Sequence, residues 1–139
     1  MDLDFEGLLA PVVRNANGLK VSELARQFHQ LAARAKSGGL ATDDLQGGTY
    51  TLSNPGPFGT LFTAPIINQP QVAILSTDGI SRKPVVVTDG DGNEAIAIHS
   101  VGVLALAWDH RAFDGAYVAA FLDHLRTIIE TRDWETEIN

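Results

Sequence analysis

A chain of 139 residues with 45% apolar content is long enough to bury a moderate core and reads as one globular domain, not a disordered segment. Its formal charge of −7, from 10 Lys and Arg against 17 Asp and Glu, argues against nucleic acid or an anionic membrane as partner, because both demand clustered cations. There is no cysteine, so no disulfide framework and no thiol nucleophile. No stretch approaches the ~20 continuous apolar residues of a membrane span. The acidic start, Met1-Asp2-Leu3-Asp4, lacks the basic and apolar regions of a secretion signal, so a cytoplasmic location is expected.

In chain order, Leu8 to Val13 predicts a short strand with Pro11 at an edge or bulge. Val21, Leu24, Ala25, Phe28, Leu31, Ala32 and Ala35 recur at helical spacing, and Gly38-Gly39 ends that helix. Its other face carries Glu23, Arg26, Gln30, Arg34 and Lys36, with His29 near them as a solvated side chain. Thr42-Asp43-Asp44 predicts a capped turn, and Thr49 to Ser53 a strand of β-formers. Asn54 to Gly59 holds two prolines and two glycines in six residues, which predicts no regular structure.

Val72 to Ser76 has the composition of a buried strand. Val85 to Thr88 and Ala95 to His99 flank Asp89-Gly90-Asp91-Gly92-Asn93 and predict a hairpin. Those acidic residues do not make a calcium loop, because positions six and twelve from Asp89 are Glu94 and Ser100, not glycine and glutamate. Val101 to Trp108 is the longest apolar run and predicts a central strand. Val118, Phe121, Leu122, Leu125, Ile128 and Ile129 give the closing helix a buried stripe. Two helices among about six short strands, several in hairpins, predict an α+β, mixed-sheet layer fold. The histidines lack close metal-ligand spacing, so no metal site is expected, and no dinucleotide fingerprint is present.

The chemistry concentrates in Asp109-His110-Arg111-Ala112-Phe113-Asp114-Gly115, where a strand hands over to a helix. Such a junction exposes a side chain between two rigid elements. The ordinary pKa of histidine suits proton transfer near neutrality, and Asp114 stands where it can cap the helix or orient the site. By pattern alone, His110 reads more readily as a core or capping histidine beside Trp108 than as a catalytic group.

Asp-His-Arg-x-x-Asp-Gly ahead of a last amphipathic helix resembles the signature of dihydrolipoamide acyltransferases, the E2 components of 2-oxoacid dehydrogenase complexes. Further matches follow the same order: Gly7-Leu8-Leu9-Ala10-Pro11-Val12-Val13-Arg14-Asn15-Ala16, Gly47-Gly48-Thr49-Tyr50-Thr51-Leu52-Ser53-Asn54, and Pro65-Ile66-Ile67-Asn68-Gln69-Pro70 with Gln71 to Leu75. The likeness runs from about Gly7 to the end. It implies a chloramphenicol-acetyltransferase-like fold, a mixed sheet with helices packed on one face. It also implies that residues 1–139 are the C-terminal portion of the catalytic domain, with no lipoyl or subunit-binding domain. None of Lys20, Lys36 and Lys83 stands in an Asp-Lys-Ala lipoylation context.

The resemblance further implies catalytic roles for His110 as general base on a coenzyme A or dihydrolipoamide thiol, and for Ser53 as hydrogen-bond donor to the tetrahedral intermediate. Asp114, Asp or Asn in the family, holds the loop, caps the helix and pairs with a basic group. Coenzyme A is then a substrate, and the lipoyl group belongs to a separate domain. Expected partners are a homotrimer and higher core assembly, lipoyl domains and the E1 and E3 subunits. A Ser53–His110–Asp114 hydrolase triad is disfavoured because Ser53 lies in no Gly-x-Ser-x-Gly elbow. The alternative from another class is a truncated, inactive, self-associating core fragment with a structural role.

Overall fold

Burial decides which strand the rest is built on. Ala73, Ile74, Leu75 and Ser76 are four consecutive buried residues, a pattern possible only for a strand covered on both faces. The computed structural model describes Met1, Asp2 and residues 7–138; Leu3 and Asp4 of the acidic start lie outside the described residues. Its principal elements are α1 (Val21–Lys36), β1 (Thr51–Ser53), β2 (Ala73–Thr77), β3 (Ser81–Thr88), β4 (Glu94–Val101), β5 (Leu104–Trp108), α2 (Gly115–Thr131) and α3 (Trp134–Ile138). They fall into two compact units, Met1–Thr49 with Asp123–Asn139, and Tyr50–Leu122.

The second unit contains all the strands. One sheet has the order β1-β2-β5, parallel between β1 and β2 and antiparallel between β2 and β5. Ser53 lies opposite Ser76, and Ser76 opposite Ala105; at the other end Ala73 lies opposite Trp108. A separate hairpin joins β3 to β4 in continuous register from Ser81↔Val101 to Thr88↔Glu94. Pro84 is tolerated there because β3 pairs on one side only. The hairpin turn is held by the Asp89 carboxylate, which accepts the Asp91 and Asn93 amides at 2.9 Å each. Phe113, Tyr117, Val118 and Phe121, around the start of α2, line an apolar groove of about 220 Å³ with Ala73 and Leu106.

The longest apolar run is not a single central strand. It breaks at Gly102–Val103, and its second half, β5, is an edge of the sheet; the centre is β2. The run's length misleads because Val101 belongs to the hairpin and only Ala105 of β5 is fully buried. The run Leu8 to Val13 forms no strand either. Leu8 makes one isolated bridge with Asp2, and the Val12 amide donates to the Asp44 carbonyl at 2.7 Å. Pro11 has no N–H to continue a ladder. The Pro/Gly loop, expected to be irregular, contains one 3-10 turn, Gly56–Phe58, which starts where Pro55 and Pro57 already fix φ.

In the first unit α1 follows its sequence pattern, but the buried part of its stripe reduces to Leu31 and Ala35, while Phe28 is 53% exposed. The amide of Lys20 donates to the Glu23 carboxylate at 3.1 Å, closing the first turn. The short α3 was invisible to periodicity because five residues are too few to show any. It is tied by Arg132, which donates to Glu137 at 2.6 Å.

Replacement of Leu75, 5% exposed on the central strand, by alanine is expected to cost about 2–4 kcal/mol in urea unfolding. A loss below about 1 kcal/mol would contradict β2 as the core of this unit.

Candidate active site

The segment after β5 is a turn held from four directions. The Asp109 amide donates to the Val72 carbonyl at 2.8 Å, carrying the sheet one residue past its last pair. The Asp109 carboxylate accepts the Arg111 amide at 2.9 Å and a fork from the Arg111 guanidinium at 2.6 to 3.2 Å. The Trp108 indole N–H reaches across to the Phe113 carbonyl at 3.0 Å. Asp114 ends the turn by accepting the Tyr117 amide at 2.9 Å, so it is the N-cap of α2. All but the bond to Val72 are local, and together they fix the turn that carries His110.

The His110 imidazole is exposed and tilted 37° to the Trp108 ring at a centroid distance of 5.6 Å. Among the described residues no hydrogen bond engages it. An exposed imidazole on a pinned turn, backed by an indole, has both ring nitrogens open to a substrate. The Arg111 guanidinium beside Asp109, donating through its side chain and then its amide, holds that carboxyl down at about 2. Asp109 is therefore a fixed anion of the turn and Arg111 its clamp.

Ser53 ends β1, half-buried, and its carbonyl accepts the Thr77 hydroxyl at 3.5 Å. The structure does not bring it together with His110. Ser53 is level with Ser76, whereas the Asp109 amide is level with Val72, at the opposite end of β2 and on its other side. Four residues along the strand and two strand spacings across put the two backbones about 16 Å apart. Asp114 is engaged at the helix cap and makes no contact with His110 among the described hydrogen bonds. A hydrolase triad within one chain is excluded by that arrangement.

Asp78 escaped the sequence reading. It is 4% exposed and its carboxylate accepts the hydroxyls of Thr60 at 2.7 Å and Thr63 at 2.6 Å, the Thr63 amide at 3.2 Å and the Ser76 hydroxyl at 3.4 Å. The Thr63 hydroxyl first, and the other donors after it, hold its carboxyl below the usual range against the opposing effect of burial. The only available signal was an acidic residue directly after a buried strand, which reads equally as a solvated turn.

Two of the segments that carry the resemblance meet in the first unit, for structural reasons. Arg14 donates to the carbonyls of Asp43 at 2.9 Å and Gln46 at 3.4 Å, and its guanidinium leaves only 3.2 Å for a Cβ at Gly47, whose φ is +76°. Arg34 clamps Asp44, whose carboxylate also accepts the Ala41 amide at 2.8 Å. No group of three or more potential metal ligands occurs among the described residues, and no described helix is long and apolar enough to cross a membrane.

An exposed histidine on a clamped strand-to-helix turn and a serine at the far end of the same sheet therefore stand apart within one chain. The catalytic-domain model of the 2-oxoacid dehydrogenase acyltransferases matches residues 1–136, and the chain belongs to that family. It is 44% identical over 133 residues to the dihydrolipoyllysine-residue acetyltransferase component of the Mycobacterium tuberculosis pyruvate dehydrogenase complex, covering 96% of this chain and 24% of that protein. It is 41% identical over 125 residues to the succinyltransferase component of the mitochondrial 2-oxoglutarate dehydrogenase complex of Saccharomyces cerevisiae, covering 90% of this chain and 26% of that one. The dihydrolipoamide acetyltransferase of Azotobacter vinelandii, studied for the role of a serine, a histidine and an asparagine in catalysis, superposes with a TM-score of 0.81. Its identity is 36%, over 91% of this chain and 50% of that one. The fold is thus the α+β fold of these acyltransferase cores, and the chain spans about a quarter of the length of the curated relatives it matches.

The depressed pKa of Asp109 sets a pH window. The clamp's stabilisation is complete above the ordinary aspartate value of 3.8 and is lost as pH falls through about 2. Arg111→Ala is expected to move the Asp109 carboxyl, followed by carbon-detected NMR titration, back toward 3.8. An unchanged value of about 2 would show that Arg111 is not its principal partner.

Proposed function

We propose that this chain carries the two halves of an acyl-transfer site, moving an acyl group between dihydrolipoamide and coenzyme A, with each half completed by a neighbouring subunit. The observation that carries it is the clamped, exposed His110 at one end of the β1-β2-β5 sheet and Ser53 at the other. His110 takes the proton from the attacking thiol. The thiolate sulfur bonds to the thioester carbonyl carbon, and the carbonyl electron pair moves onto oxygen. Ser53 donates a hydrogen bond to that oxyanion, whose charge exists only along the reaction path. Collapse breaks the bond to the original sulfur, and the imidazolium returns its proton to the departing thiolate. No acyl-enzyme forms, in keeping with a chain that has no cysteine.

Asp114 serves this chemistry by capping α2 and so fixing the end of the His110 turn. The histidine and asparagine studied in the Azotobacter protein stand four residues apart, as His110 and Asp114 do, and asparagine caps a helix as well as aspartate. A permanent charge at position 114 is therefore not required. The assembly is a homotrimer built into a larger core, working with lipoyl domains and the E1 and E3 subunits in the cytoplasm. The names of the two curated relatives, each a component of a pyruvate or 2-oxoglutarate dehydrogenase complex, support assembly within such a complex. The relatives include acetyl-, succinyl- and branched-chain acyltransferase components, so the acyl group is left as acetyl, succinyl or branched-chain.

The test is turnover of acyl-coenzyme A with dihydrolipoamide by the longest natural protein bearing this chain. His110→Ala is expected to lower kcat at least ~10²-fold in a folded protein. Ser53→Ala is expected to lower it roughly 10²–10³-fold with little change in coenzyme A affinity. Near-normal turnover of folded His110→Ala would remove the general base from this account.

A further inference from the structure

We propose that Asp78 is a positioning residue that sets the direction of the Ser53 hydroxyl by clasping the loop that leaves it; the proposal rests on the oxyanion role given to Ser53. A carboxylate 4% exposed is costly unless its oxygens are satisfied, and here four donors from neutral groups do so. Among the described residues no cation pairs with it. Such a buried anion is more than simple packing demands.

Three of those donors, from Thr60 and Thr63, lie in the loop that runs on from Ser53 through Pro55 and Pro57. The fourth, Ser76, is fully buried and stands directly opposite Ser53 in the sheet. Paired residues of adjacent strands point to the same face, and residues two apart on a strand do so as well. Ser53, Ser76 and Asp78 therefore share one face of the sheet. Asp78 thus connects the start of the loop, through Ser76, with its end at Thr63.

Backbone contacts close the clasp. The Gly79 amide donates to the Thr60 carbonyl at 2.8 Å, and the Thr77 hydroxyl reaches the Ser53 carbonyl at 3.5 Å. A Cβ on Gly56 would stand 3.1 Å from the Asp78 carbonyl, and one on Gly79 would stand 2.8 Å from the Thr60 carbonyl. The loop is pressed onto the end of β2 with no room for a side chain at either point. A donor to a transient oxyanion must be in place before charge develops, and this clasp supplies that fixity.

The experiment compares Asp78→Asn, Thr63→Val, Ser53→Ala and the Ser53→Ala/Asp78→Asn double variant in the longest natural protein bearing this chain. Asparagine keeps one oxygen for the two threonine hydroxyls but puts a donor where the other oxygen accepts the Thr63 amide and the Ser76 hydroxyl; Thr63→Val keeps the shape and removes one hydroxyl donor. Asp78→Asn is expected to lower kcat about 10-fold or more, with KM for acyl-coenzyme A within about two-fold. Thr63→Val should follow in the same direction, with faster exchange of the Thr63 and Gly79 amides in both. Because Asp78 acts through Ser53, the double variant should be no slower than Ser53→Ala alone. Slow Ser53→Ala with normal Asp78→Asn and Thr63→Val, or losses that multiply in the double variant, would overturn the positioning role. Normal turnover of Ser53→Ala would instead remove the oxyanion role itself, and the proposal with it.

Discussion

The pairing of β2 with a parallel neighbour on one side and an antiparallel neighbour on the other is the constraint from which the site follows. Parallel pairing means that β1 and β2 end together, so Ser53 emerges at the C-terminal end of β2. Antiparallel pairing means that β5 ends where β2 begins, so the turn bearing His110 emerges at the other end. A sheet that places two functional groups at opposite ends cannot use them on one carbonyl within one chain. It can do so when copies are arranged around a closed axis, each giving its histidine to the next chain's serine.

Rigidity at the two ends is achieved by different means. At the histidine end it is mostly local: an aspartate–arginine fork, an indole-to-carbonyl bond and a helix cap, all between Trp108 and Tyr117. The ion pair alone contributes little, since the Arg111 side chain is largely exposed. Its value is geometric, because it stiffens a turn the cap and the indole also hold. At the serine end rigidity is long-range, with a buried carboxylate collecting donors 15 and 18 residues away. Both arrangements hold the backbone, around His110 in one case and beyond Ser53 in the other.

These differences explain what the sequence disclosed. The His110 turn was legible because, apart from the backbone bond to Val72, its partners lie between Trp108 and Tyr117 and each residue type has a local meaning. The helices α1 and α2 were legible from their period, and the hairpin from its acidic glycine-rich turn. The Asp78 clasp was not, because nothing in Thr77-Asp78-Gly79 announces partners at Thr60 and Thr63. The break at Gly102 was hidden by apolar residues on both sides, which made two edge elements look like one central strand. The resemblance supplied the role of Ser53; the residues alone offered only a strand-end hydroxyl.

The central claim, that Ser53 and His110 act from different subunits, is tested most directly by complementation. Ser53→Ala and His110→Ala forms of the complete catalytic protein would be co-assembled in equal amounts, with mixing verified by native mass spectrometry. In a cyclic trimer every mixed assembly contains one interface pairing an intact serine with an intact histidine, so about a quarter of all sites should regain turnover. Recovery near that level is the result the geometry predicts. Verified mixed trimers with no recovery would place both residues in a single subunit and contradict the account.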